Sequence, residues 1–359
     1  MKVLLITPSS QQVVGFRKNL IEMLQAEKHD VAVLTFDDQY KDTIQERSIA
    51  FYCVPDHNRS VNPLYVLSLK SKYYHIIKQV NPDIVFTFML KPNTFGVLAA
   101  KKAGVKKIFS LVEGAGDVFV HNSFKWNVIR SVVCHLYKSS FRHCQSVFFL
   151  NQDDRKEFIA RGLVKAEQCH VLHGIGVDLE KYAYRPVKNH NTFLMVARMI
   201  KTKGVFEYCQ CARTVKQKYP DVIFNYLGPE GTVTVADIRQ YIEDGSINYL
   251  GTTDDVRPYY ENCFVFVLPS YREGLPVSIM EANAVGRPII ANNTVGSRDA
   301  VVDGQTGFLV DNSHLAEKAV WFLEHPEEAE KMGRNARKFA EENFDQLEIN
   351  KQILDIISS

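Results

Sequence analysis

Glu273 and Glu281 stand eight positions apart, and the residues around them set what the pair can do. An apolar run over 263–268 reads as a buried parallel strand. A polar break follows over 270–274. Pro276 then suits the first turn of a helix, where a missing N–H costs nothing. Gly286 fits the position just past that helix, and Pro288 forbids its continuation. A second strand follows over 287–291. Glu273 therefore falls in a loop and Glu281 in a helix. Gly274 leaves the backbone bare just before the helix start, where free N–H groups and the macrodipole attract phosphate. Glu281, deeper in the helix, can accept hydrogen bonds from hydroxyls. A diphosphate between two polyhydroxyl ends has this chemistry, and that is the make-up of a nucleotide sugar. The pair alone equally fits two glutamates beside an ordinary crossover helix, the commoner case for such a spacing.

Further residues at strand ends carry charge or leave the backbone bare. Arg198 and Lys203 follow a strand over 192–197, in a loop that ends at Gly204 before a helix over 205–219. Arginine as a planar fork and lysine as a point charge suit a diphosphate. Unaided, such a pair is more often plain surface. Gly228 follows a strand over 222–227 and Gly251 ends one over 247–251; glycine there lets a backbone approach a flat base. Glu113 follows a strand over 107–112. Ligands of open α/β sheets bind beyond strand carboxyl ends, so Glu113 serves either substrate chemistry or a loop cap. Arg17 starts a helix over 16–26, at the carboxyl end of the first strand, where it can reach into a cleft; a lone arginine of this kind is more often a solvated surface charge. No Asp-x-Asp pair offers a divalent-ion site, and seven scattered cysteines show no zinc spacing.

The wording around these residues is specific. Pro269-Ser-Tyr-Arg-Glu-Gly-Leu-Pro-Val-Ser-Ile-Met-Glu-Ala282 resembles the donor-site motif of glycosyltransferase family 4, and Val196-Ala-Arg-Met-Ile-Lys-Thr-Lys-Gly204 resembles the family's diphosphate loop. Lys91-Pro-Asn-Thr-Phe-Gly96 and Val112-Glu-Gly-Ala-Gly116 resemble a subgroup of bacterial N-acetylhexosaminyltransferases that extend polyprenyl-diphosphate-linked sugars in glycan and O-antigen assembly.

The resemblance implies an α/β chain of GT-B fold, two Rossmann-like domains facing each other across a cleft. An acceptor-binding domain would span 1–183, a nucleotide-sugar domain 192–341, and a terminal helix over 342–359 would cross back to the first. It implies a retaining hexosyltransferase in which Glu273 contacts the donor sugar, Glu281 the ribose, and Arg198 with Lys203 the diphosphate. Gly228 and Gly251 would form the base rim, and Gly274, Leu275 and Pro276 the donor loop. Many members carry a histidine near the position of Glu113, which leaves its acceptor-side role open. The donor would be a UDP-sugar, an N-acetylhexosamine first, and the acceptor an undecaprenyl-diphosphate-linked saccharide of O-antigen, capsule or glycan synthesis. No cofactor or metal is expected. Two other readings are a GT-B-like UDP-sugar epimerase and a nucleotide-sugar-binding protein without turnover.

The elements that must position these residues are regular. A chain of 359 residues exceeds one typical core, and 46% hydrophobic with 23% charged residues is ordinary globular composition. Net charge is +2, so no global field points to nucleic acid. Short apolar strands over 2–7, 30–35, 49–54, 83–88, 107–112, 146–150 and 169–173 alternate with helical patterns, which predicts a parallel sheet. Residues 8–15 read as a loop without the Gly-x-Gly-x-x-Gly of a dinucleotide enzyme. Helices are expected over 62–80, 95–103 and 122–143, a linker over 182–191, a late strand over 307–310 and a terminal helix over 341–359.

The 122–143 segment sets Phe124, Trp126, Val128 and Val132 among Lys125, Arg130, Lys138 and Arg142. It suits an anionic membrane surface or a crossover helix with a solvated edge. Met1 leads straight into a strand, no apolar run reaches the roughly 20 residues of a membrane span, and the thiols suit a reducing compartment. The expected place is cytoplasmic, peripheral at the inner face of a bacterial plasma membrane.

Overall fold

The computed structural model describes residues 1–56, 63–119 and 123–358. The starts read at Asn62 and Asn122 for two helices lie outside the described residues. Two compact units are present: Met1–Ile175 with Leu347–Ser359, and Gly176–Gln346. Each is one parallel sheet crossed over by helices.

The first sheet holds β1 (Lys2–Ile6), β2 (Asp30–Thr35), β3 (Ala50–Cys53), β4 (Ile84–Phe88), β5 (Lys107–Val112), β6 (Ser146–Phe149) and β7 (Cys169–Val171), in the order β3-β2-β1-β4-β5-β6-β7. The second holds β8 (Thr192–Val196), β9 (Ile223–Leu227), β10 (Asn248–Tyr249), β11 (Val265–Leu268), β12 (Ile289–Asn292) and β13 (Gly307–Val310), in the order β10-β9-β8-β11-β12-β13. Central strands such as β4 and β11 are buried along their whole length, as a sheet covered on both faces requires. In each sheet the strand order reverses at one parallel pair, β1 beside β4 and β8 beside β11. Crossovers leave these pairs toward opposite edges, which opens a crevice beyond their carboxyl ends.

Every strand lies within two residues of its sequence reading. The helices differ more. Residues 8–15 contain the helix Ser10–Val14: the Ser9 hydroxyl accepts from the Gln11 N–H at 3.2 Å, and Gly15 ends the turn. The next helix begins only at Lys18. The reading leaves 232–246 without an element, yet Val235–Glu243 is helical. A capping box starts it, with the Thr234 N–H and hydroxyl each donating to Asp237 Oδ2 at 2.8 Å.

The terminal helix expected over 341–359 is Gln346–Ser358; residues 341–343 end the preceding helix, Pro326–Asn343. At the break the Val177 N–H donates to the Phe344 carbonyl at 2.8 Å, and the Gln346 N–H to the Val177 carbonyl at 3.2 Å. The stretch 182–191, expected as a linker, belongs to the second unit. Arg287 Nη2 donates to the Arg185 carbonyl at 2.7 Å, and the Arg185 N–H donates to the Val285 carbonyl at 3.1 Å. The first unit therefore closes at residue 175 rather than 183.

Gly333 lies inside the helix Pro326–Asn343, where alanine is ordinarily better by about 1 kcal/mol. A Cβ there would run into the Gly286 carbonyl, at the end of the helix Val277–Val285. Gly333→Ala is expected to reverse the usual sign and destabilise by roughly 1–3 kcal/mol, seen as a lower urea midpoint with an unchanged slope.

Candidate functional site

At the β8–β11 crevice, loops from four strands are bound to one another. After β8, the Met199 N–H donates to the Pro229 carbonyl at 2.9 Å, and the Thr202 carbonyl accepts from the Tyr271 N–H at 2.9 Å. The turn Lys201–Lys203 ends at Gly204, φ +75°, where a Cβ would run into the Pro269 carbonyl. Only glycine meets both demands. After β11, the Glu273 N–H donates to the Val295 carbonyl at 3.0 Å. Asn292 Nδ2 donates to the Pro269 carbonyl and Thr294 Oγ1 to the Ser270 carbonyl, each at 3.0 Å. Gly296, φ +81°, lets the β12 loop lie against the carbonyls of Glu273 and Gly274, 2.5 and 2.6 Å from where a Cβ would be. The loop bearing Glu273 is thus shaped from outside itself.

This lacing brings Lys203 to Glu273, seventy positions away in sequence. Lys203 Nζ donates to both carboxylate oxygens, at 2.6 and 2.8 Å, and both side chains are largely shielded from water. Arg198 is exposed on the same β8 loop, its Cγ beside Gly231. Leu275 and Pro276 are buried beneath the loop. Pro276 is the cap of the helix Val277–Val285 and not its first residue, and its side chain makes no capping bond. A helix start whose cap residue offers its N–H groups no acceptor is the kind of place that attracts an anion.

Glu281, one turn further, accepts from the Tyr182 hydroxyl at 2.7 Å and the Tyr260 hydroxyl at 2.8 Å. Burial pushes its carboxyl above the ordinary range, and the two phenols draw it back. Neither tyrosine stands out in the sequence, because Tyr182 lies ninety-nine positions before its partner.

Gly228 has a reason other than the one its sequence suggests. Its φ is +150°, a Cβ would run into the Ala197 carbonyl, and its N–H donates to the Gly251 carbonyl at 2.8 Å. The close approach it permits is that of the chain to itself. Gly251, φ +72°, needs glycine for its backbone alone, with open space where a Cβ would point. The second unit thus contains Arg198, Lys203, Gly228, Gly251, Glu273, Gly274, Leu275, Pro276 and Glu281.

Glu113 belongs to the first unit, just after β5. It forms an ion pair with Arg17, and the Arg17 guanidinium lies 4.1 Å from the centre of the Phe88 ring. Arg17 is only 4% exposed, which corrects its reading as a surface charge. A carboxylate partner and an aromatic face supply what burial takes from it. Among the described residues, no group of three or more His, Cys, Asp or Glu is placed to hold a metal ion, and no helix is long and apolar enough to cross a membrane.

A raised carboxyl pKa in the folded state means that folding favours the protonated form. Stability contributed by Glu281 is therefore greatest at low pH and falls as pH rises from about 4, the ordinary glutamate range, through its raised value. Glu281→Gln is expected to melt above the natural chain at pH 7–8 and to lose that advantage below about pH 4. Paired melting curves across this range test it; equal melting temperatures at pH 8 would mean that the phenols cancel the burial.

The comparisons with known proteins bear on the whole chain. The family described as "Glycosyl transferases group 1" matches residues 178–339, and "Glycosyl transferase 4-like" matches residues 2–151. The chain is 30% identical over 359 aligned residues to a Campylobacter jejuni N,N'-diacetylbacillosaminyl-diphospho-undecaprenol alpha-1,3-N-acetylgalactosaminyltransferase, covering 95% of this chain and 94% of that one. It is 26% identical over 314 residues to an Escherichia coli UDP-Gal:alpha-D-GlcNAc-diphosphoundecaprenol alpha-1,3-galactosyltransferase, covering 81% and 78%. In fold it is similar to the crystal structure of Anabaena Alr3699/HepE in complex with UDP and glucose, with TM-score 0.81, 20% identity and 100% of both chains covered. With both sheets matched in kind and nearly the whole sequence aligned, the chain belongs to the glycosyltransferases of group 1 and family-4-like type, built on the GT-B fold.

Proposed function

We propose that the protein transfers an N-acetylhexosamine from a UDP-sugar to an undecaprenyl-diphosphate-linked saccharide in bacterial surface polysaccharide or glycan synthesis. Transfer is with retention and without a metal ion. The observation that carries this reading is the Lys203–Glu273 pair beside a helix start whose cap residue makes no side-chain capping bond. A pyrophosphate arriving at the helix start competes with Glu273 for Lys203. Once Lys203 turns to the diphosphate, Glu273 is released to accept from donor-sugar hydroxyls. Arg198 adds a second cation from the same loop, and Glu281 serves the ribose. Side-chain cations and backbone dipoles then stabilise the leaving diphosphate as its charge develops. The Campylobacter and Escherichia coli relatives named above, whose acceptors are diphospho-undecaprenol sugars, support the acceptor class.

The same reading places the protein in the cytoplasm, peripheral at the inner face of the plasma membrane. The helix Phe124–Phe141 supports it. Phe124, Val128 and Val132 are 85%, 50% and 53% exposed at fourfold spacing, and Lys125, Lys138 and Arg142 are exposed on the same helix or at its end. A groove of about 420 Å³ at its far end is lined by His135, Lys138, Arg142 and Lys165 among others. Apolar side chains flanked by cations suit an anionic bilayer surface.

UDP-sugars incubated with lipid-diphosphate saccharides and followed by mass spectrometry should give an acceptor-dependent product with anomeric configuration kept. UDP released at the same rate without acceptor would count for the epimerase reading instead. Lys203→Met should lower turnover by ~10²–10³-fold, and EDTA should leave the natural enzyme's rate unchanged; a rate abolished by EDTA and restored by a divalent ion would overturn metal independence. Phe124→Ser with Val128→Ser should weaken co-sedimentation with phosphatidylglycerol vesicles without altering turnover on a water-soluble short-chain acceptor.

A further inference from the structure

The β1–β4 crevice of the first unit holds a charged pair that fold stability does not call for. Arg17 lies between the helices Ser10–Val14 and Lys18–Ala26 that follow β1, Phe88 ends β4, and Glu113 follows β5. The ion pair therefore spans the carboxyl end of β4, with the guanidinium lying on the Phe88 ring. Burial lowers the Arg17 pKa only to about 9, so it stays charged at neutral pH. Glu113 Oε1 is buried against Arg17, while the side chain as a whole keeps 18% of its surface open. Buried ion pairs are commonly no better for stability than apolar residues of similar volume. The next residue after Phe88, Met89, holds φ +67° without being glycine. Rarely populated backbone of this kind gathers at functional sites.

We propose that Arg17 is a positioning residue that holds the Glu113 carboxylate at this crevice, where it accepts hydrogen bonds from the hydroxyls of an uncharged sugar ring of the acceptor. The inference rests on the transfer reading above and names the part of the acceptor recognised here. Unlike Lys203, which is 26% exposed, the Arg17 side chain is only 5% exposed and is closed in by Glu113 and the Phe88 ring, so it has no open face to turn to a diphosphate. The pair is neutral as a whole, so it suits hydroxyls, with Glu113 as acceptor of their hydrogen bonds. Among the described residues, charged groups on the neighbouring loops include Asp154, which accepts from the Ala115 N–H at 3.2 Å, and Lys91 of the β4 loop, paired with Asp56 at 2.6 Å.

The test uses the full chain, a UDP-sugar and a lipid-diphosphate saccharide. Arg17→Met with Glu113→Leu replaces both charges together and should melt within a few degrees of the natural protein or above it. Its kcat/KM for acceptor should fall by about 100-fold, with UDP affinity unchanged. Arg17→Met alone should move the acid limb of the acceptor kcat/KM profile to higher pH, since Glu113 loses the cation that favours its ionised form. Arg17→Lys should restore most of that shift. A double variant that folds and matches the natural rate would show the pair to be only structural, and an unmoved acid limb in Arg17→Met would remove Arg17 from its role. A natural enzyme that consumes no lipid-linked saccharide at all would overturn the transfer reading together with this one.

Discussion

The contact between Lys203 and Glu273 is the constraint around which the second unit is arranged. Two side chains that attract an anion and a hydroxyl ligand separately are here held within hydrogen-bond distance of each other. Neither loop is regular structure, so neither sets its own shape. The shape comes from neighbours: the Pro269 carbonyl accepts from Asn292, Val295 accepts from Glu273, and Thr202 accepts from Tyr271. Gly204 and Gly296 leave no room for a side chain exactly where these loops touch, so the loops sit closer than side chains would permit. A charged pair held by buried backbone bonds is ready before any ligand arrives, and preorganised charge is what a developing leaving group responds to.

The two units solve the same problem in different ways. Each carries charge into the crevice where its strand order reverses, the place where an open α/β sheet leaves room for a ligand. In the second unit the lysine is the more open partner, Lys203 at 26% against 10% for Glu273. In the first the carboxylate is: Arg17 is buried against Phe88, while Glu113 keeps 18% of its side chain open. Glu281 is a third case, a carboxylate kept among phenols although burial disfavours its charge. Carboxylates placed at some cost to folding are where function is to be sought, because stability alone would have replaced them.

Much of the architecture was legible from periodicity. Strands such as 84–88, with Thr87 its one polar residue, and 265–268 are near-continuous apolar runs, and burial on both faces suits them. Gly286 and Pro288 marked the end of the helix Val277–Val285 through local backbone chemistry. Residues 182–191 look like a linker because their polarity and Pro186 are local facts, while their bonds to Arg287 and Val285 are not. The helix Val235–Glu243 had two readable local signals, Thr234 three residues before Asp237 and the helical spacing of Val235, Ile238, Tyr241 and Ile242.

By itself the sequence determined the succession of strands and helices, the residues standing at strand ends, and the family wording of the 196–204 and 269–282 stretches. These follow from short-range rules: hydrophobic period, caps and turns act over a few residues. The tertiary structure decided which of those residues meet. Lys203 finds Glu273, Tyr182 finds Glu281, and Arg17 leaves the surface for Glu113, across separations of seventy, ninety-nine and ninety-six positions. Pairings at that range depend on how the sheet orders its strands, and strand order is set by packing of the whole unit, which no local pattern encodes.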